Sequence, residues 1–145
     1  MSSFLAILAA AVVGVCIALE PTVNSALGKV ITPRLATFHS FVVGMVAIVI
    51  INILSGGFKG YSNVLKVPPY LWIGGLLGLT VILGGAWAAG VIGVASTVTV
   101  MVAVQMVTGI VIDSLGLFGA TKVPIDMSRI IGVVLLVIAV KLIIK

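Results

Sequence analysis

Apolar residues run along this chain in long unbroken stretches, separated by short polar ones. A helix of about 20 apolar residues crosses a hydrocarbon core near 30 Å thick. The stretches at 4–27, 35–54, 70–92, 97–118 and 128–144 predict five transmembrane helices. Gly28, Lys29, Pro33 and Arg34 separate the first two, and Ser55-Gly56-Gly57 end the second. The longest loop follows, with Lys59, Tyr61, Lys66 and the pair Pro68-Pro69. From Trp72 to Ile112 no charge occurs, which is about twice the length of one crossing and reads as a hairpin of two helices. Gly90, Gly93 and Ser96 place its turn, with Ser96 or Thr97 expected as N-cap of the fourth helix, since a hydroxyl there accepts a bond from a free helical N–H. Lys122, Pro124 and Asp126 make the last loop.

The continuous runs lack the apolar–polar alternation that a β-barrel lumen requires. The expected fold class is therefore an all-α integral membrane protein, with residues 1–145 as a single five-helix membrane domain. No internal repeat, soluble domain or low-complexity tail is visible. The first stretch reads as a retained helix. A signal peptide has a basic start and an apolar run of about 7–15 residues, whereas here no Lys or Arg precedes Lys29 and the run is longer.

Composition sharpens this picture. Hydrophobic residues make up 62% of the chain and charged ones 8%, against roughly 25% charged in soluble domains. A soluble protein of this size would lack the charge to cover its surface. The net charge of +5 resides in loops and ends, where it suits anionic lipid head groups. No basic patch with interleaved aromatics occurs, so no nucleic-acid partner is expected. The single cysteine, Cys16, excludes an intrachain disulfide and has no partner for a Cys-based metal site; it reads as a small apolar core residue. Lone His39 has no accompanying carboxylate in a ligand pattern, and no metal or cofactor is expected.

The distribution of charge is more telling than its sum. Short cytoplasmic loops rich in Lys and Arg fix the orientation of a membrane protein. With five crossings, Lys59, Lys66, Lys122 and Arg129 fall on the side of the N-terminus, and Lys29, Arg34, Lys141 and Lys145 on the other. The tally is four against four, so no orientation is favoured and insertion both ways up is expected. An odd number of helices leads to the same assembly. Two five-helix units joined head to tail sit inverted, the arrangement of many transporters with a site near the midplane. Separate copies reach it as an antiparallel dimer of ten helices.

Particular residues resemble a known family. The first span carries Glu20-Pro21-Thr22-Val23-Asn24-Ser25-Ala26-Leu27-Gly28, and the second opens with Ala36-Thr37-Phe38-His39-Ser40-Phe41 and continues to Gly44. The fourth carries Gln105 to Gly109 and then Asp113-Ser114-Leu115-Gly116, and the fifth opens near Pro124, Arg129 and Gly132. Over essentially the whole chain this resembles the YdcZ-type family of the drug/metabolite transporter superfamily. The resemblance implies a multi-pass inner-membrane protein of five helices working in antiparallel pairs, with a small-molecule or ion substrate. The family commonly carries Gln where this chain has Glu20, so any mechanism resting on that carboxylate belongs to this protein or a subgroup.

Glu20 is the leading candidate residue. A carboxylate at the centre of a bilayer costs about 2.5–3.5 kcal/mol on insertion scales, which marks it as functional by default. Pro21 removes an N–H donor and crowds the carbonyl of Ile17, so a structural kink or break is expected there. The competing reading is a structural pair of Glu20 with Lys29 or Lys141. Asn24 lies one turn beyond Glu20 on the same face. Thr37, Ser40 and Gly44 form a polar-and-small stripe on the second span. Thr97, Gln105, Thr108 and Asp113 form another on the fourth. These stripes line a cavity or serve as interhelical hydrogen-bonding contacts. Asp113 sits where the helix dipole disfavours an anion, and a structural ion pair with Arg129 is expected, with Lys122 as the other possible partner. Gly74, Gly78, Gly85 and Ala89 give the third helix a close-packing face. Trp72 and Trp87, about 22 Å apart on a helix, read as anchors at the two interfaces, with substrate stacking as the second role for Trp87.

The expected function is secondary transport by alternating access, with a substrate or ion site drawn from Glu20, Asn24, Ser40, Thr37, Gln105 and Trp87 and possible proton coupling at Glu20. The alternative is a non-transporting membrane assembly partner or scaffold subunit, which the intramembrane carboxylate beside a proline disfavours. No phosphate loop, nucleophile elbow or zinc motif is present, so no enzyme is expected.

Overall fold

The computed structural model describes residues 3–144; Lys145, one of the basic residues in the charge tally, lies outside the described residues. The chain is α-helical, with no strand among the described residues. Its α-helices are α1 (Ser3–Val30), α2 (Pro33–Leu54), α3 (Gly74–Ile92), α4 (Val94–Leu115) and α5 (Met127–Ile143). Two 3₁₀ segments, Tyr61–Lys66 and Pro69–Ile73, lead into α3, and a third, Leu117–Gly119, follows α4. Two compact units divide the chain, one up to Trp87 and one from Ala88.

In the first unit, α1 and α2 form a helical hairpin. Thr32 accepts a bond from the N–H of Leu35 at 3.3 Å, with Pro33 in the first turn, where its missing donor is harmless. The turn is tight: a Cβ on Gly28 would stand 3.3 Å from the Pro33 Cα, closer than nearly all real contacts. Beyond Ser55, which caps α2, Gly56 and Gly57 adopt positive φ and end the helix. The two 3₁₀ segments fold against each other, the Trp72 indole N–H donating to the Val64 carbonyl at 3.1 Å.

Two local expectations are corrected. Of the kink or break expected at Pro21, the break does not occur; helical structure is continuous from Ser3 to Val30. Proline removes one backbone bond, and transmembrane helices absorb that loss through nearby Ser or Thr side chains. Here the Thr22 hydroxyl donates to the Ala18 carbonyl at 2.9 Å, beside the carbonyl that Pro21 leaves without a donor. The second correction concerns the α3–α4 turn. The N-cap of α4 is Gly93, not Ser96 or Thr97. Gly93 has φ 81°, which a β-carbon disfavours, and this single residue separates the helices. Thr97 therefore lies within the first turn, its N–H and hydroxyl both donating to the Gly93 carbonyl, at 3.1 and 2.8 Å.

In the second unit α4 packs on α5. Gly116 closes α4 in the left-handed conformation, and the N–H of Val123 returns to the Asp113 carbonyl at 3.0 Å. Asp126 caps α5 by accepting from the Arg129 N–H at 2.8 Å.

Four helical segments are long and apolar enough to cross a membrane: Phe4–Val30, Pro33–Leu54, Pro69–Ile92 and Val94–Leu115. At most 17% of the apolar stretch of each is buried within the chain. Phe4, Val12, Leu19, Ile53, Leu76 and Leu135 are exposed, and the buried apolar residues among the described ones are small: Ala36 and Ala86 in the first unit and Ala89 in the second. Such a surface is stable against lipid, not water. Helix α5 has 17 residues, the short end of the range for a crossing of about 17–25 residues.

Candidate functional site

The polar centre of the first unit is built by α1 and α2. Glu20 and Asn24 are four residues apart, so their side chains share one face of α1. The Asn24 amide Nδ2 donates to Glu20 Oε1. Its carbonyl Oδ1 accepts from the Ser40 hydroxyl on α2. The amide is thus used in both senses, as donor to the carboxylate and acceptor from the facing helix. Asn24 is buried, and Glu20 and Ser40 are partly exposed. Among the described residues of the first unit, no ion pair joins Lys29 to Glu20.

Pro21 adjoins Glu20 and is fully buried. It packs on α3 at Gly85, where an added Cβ would stand 3.7 Å from the Pro21 Cβ. This contact brings α3 against the helix that carries the carboxylate. Thr37 is also buried, and its hydroxyl donates to the Pro33 carbonyl of its own helix at 3.0 Å. Cys16, one turn before Glu20, is exposed.

Trp87 is exposed beside Arg34 at the mouth of an α2–α3 groove. In the second unit Gln105 is exposed on α4, while the Thr108 hydroxyl bonds back to the Val104 carbonyl at 2.8 Å. Asp113 and Arg129 are brought together: Arg129 Nη1 stands 3.4 Å from Asp113 Oδ2, clasping the end of α4 to the start of α5. No cluster of three or more His, Cys, Asp or Glu side chains occurs among the described residues.

Sequence reasoning passed over Arg34, which it counted only as a loop charge. The signal was present: Arg34, Phe38 and Phe41 fall at i, i+4 and i+7, one face of a helix.

A multi-helix chain with exposed apolar helix surfaces and a carboxylate, amide and hydroxyl in one hydrogen-bonded line within its apolar helices belongs to the class of polytopic membrane proteins. Over residues 5–142 it matches the family described as "Putative inner membrane exporter, YdcZ", and the chain belongs to that family. It is a multi-pass protein of the inner membrane, of a transporter family and not an enzyme family. Neither a curated protein nor a solved structure matches it.

Proposed function

We propose that this protein is a secondary transporter that exchanges protons for a small solute by alternating access, with Glu20 as the coupling carboxylate. The observation that carries the reading is the hydrogen-bonded line Glu20–Asn24–Ser40, which ties an intramembrane acid on α1 to α2. A proton and a cationic solute compete for one carboxylate, so binding of either excludes the other, and that exclusion is the basis of exchange. Asn24 holds the carboxylate in place and Ser40 passes its state to α2. Thr37 shapes the wall beside Ser40 and Trp87 borders the entrance, while Gln105 on α4 is a candidate polar lining group within the second unit.

The working unit in this reading is an antiparallel homodimer of ten helices, with α5 as the fifth crossing of each copy. Two features support it: five helices per chain, and the even split of eight basic residues. The span Phe4–Val30 is centred at Ile17, which puts Glu20 three residues, or about 4.5 Å, from the midplane. Inverted copies then hold their carboxylates about 9 Å apart in depth, as two half-sites.

The test is solute uptake into proteoliposomes across an imposed pH gradient, with organic cations and neutral polar metabolites screened in turn. Glu20→Gln keeps shape and hydrogen bonding but cannot titrate, and is expected to abolish dependence on the gradient while the protein stays folded. Uptake that remains equally gradient-dependent in Glu20→Gln refutes the coupling role.

A further inference from the structure

We propose that the groove between α2 and α3 binds an anionic membrane lipid, with the phosphate at Arg34 and Trp87 and an acyl chain running inward past Phe38 and Phe41. The proposal does not rest on proton coupling at Glu20, and it takes Thr37 and Trp87, placed above at the wall and entrance of that site, as lining of a lipid groove. Two adjoining cavities of about 400 and 620 Å³ lie along these helices and share Arg34 and Leu83. Phe38, Phe41, Leu79 and Leu83 wall the inner one. Gly75 leaves its far end open, since an added Cβ there would meet nothing within 4 Å.

The polarity of the groove matches a lipid from end to end. Arg34 lies in the first turn of α2, at the membrane surface, and Phe41 is seven residues further on, about 10 Å deeper. Trp87 shares the mouth with Arg34, and an exposed indole suits the head-group level. The inner groove has one hydroxyl, that of Thr37, already given to the Pro33 carbonyl. Apart from Arg34 at its mouth and this hydroxyl, the inner groove is lined by apolar side chains and Gly75.

The charge balance selects an anion. The chain has three side-chain carboxylates. Glu20 is held by Asn24, Asp113 by Arg129, and Asp126 caps α5. A helix from a second copy would fill the groove with apolar side chains but bring no unengaged carboxylate to Arg34. A lipid phosphate supplies the missing charge, and guanidinium–phosphate pairing is strong and directional.

The experiment compares phosphatidylglycerol with phosphatidylcholine of identical acyl chains, using native mass spectrometry of the purified full-length protein. Wild type is expected to retain phosphatidylglycerol preferentially, and Arg34→Gln to reduce that preference about five-fold, the worth of one basic residue at a lipid surface. A second reading uses Trp87 as the reporter in a Trp72→Phe background. Phosphatidylglycerol brominated on its acyl chain should quench Trp87 more than brominated phosphatidylcholine. Equal retention of the two lipids, equal quenching by them, or efficient disulfide formation between two copies of a Leu79→Cys, Cys16→Ala variant, which would place a second copy in the groove, each overturns the proposal.

Discussion

Replacing Asn24 should disturb this protein more than replacing Ser40, and the two changes should be coupled. Asn24 is 4% exposed and makes two side-chain bonds, one to the Glu20 carboxylate and one across to Ser40. Ser40→Ala removes only the interhelical bond. Such bonds average about 0.6 kcal/mol in membranes and reach about 1.7. Asn24→Ala removes that bond and the charge-assisted one, which is worth about 1.5–3 kcal/mol. The expected losses are about 1 kcal/mol for Ser40→Ala and about 2–4 kcal/mol for Asn24→Ala. In the double variant the interhelical bond is already gone, so its stability should lie close to that of Asn24→Ala alone. Reversible unfolding in mixed micelles, followed by tryptophan fluorescence, measures all three. Independent sites add to within about 0.3–0.5 kcal/mol; strict additivity here would show that Asn24 and Ser40 do not interact and would refute the line connecting α1 to α2.

Two other outcomes follow from packing and charge. At Gly85 the nearest atom to an added Cβ is 3.7 Å away, an ordinary contact, so Gly85→Ala should shift stability by less than about 1 kcal/mol, while Gly85→Leu overpacks the Pro21 contact and should cost about 1–3 kcal/mol or more in the same unfolding assay. The Asp113–Arg129 pair has side chains 41% and 30% exposed, respectively, so Asp113→Asn should cost no more than about 1 kcal/mol; a loss several times larger would mean the pair is shielded by neighbours in the assembled protein.

Much of the helical architecture was legible because lipid-facing helices advertise themselves as unbroken apolar runs. The ends were less so. The run at 35–54 lies within α2, which starts at Pro33 because Thr32 supplies a cap. α1 continues to Val30 through a glycine and a lysine that suggested a loop. The α3–α4 turn falls among Gly90, Gly93 and Ser96 as expected, but its cap was not legible, because all three carry turn chemistry and only backbone geometry shows that Gly93 stands between the helices. The break expected at Pro21 does not occur, because proline's lost bond is visible in sequence, whereas the packing of Pro21 on Gly85 depends on the fold. For the site, helical spacing put Glu20 beside Asn24, a local relation. The pairing of Asn24 with Ser40 is a tertiary one, sixteen residues apart, that spacing cannot specify.

The proposal stands or falls on whether inverted copies must cooperate. Two variants separate the cases. One carries three added lysines in the Lys59–Lys66 loop, the other three beside Lys29 and Arg34, so that each inserts one way up. Reporter fusions at the C-terminus should give activity on both sides of the membrane for wild type and on opposite single sides for the two variants. Proton-linked solute uptake should then be lost in vesicles from cells expressing either variant alone and restored when both are expressed together. Full uptake by one fixed-orientation variant on its own would contradict the antiparallel pair.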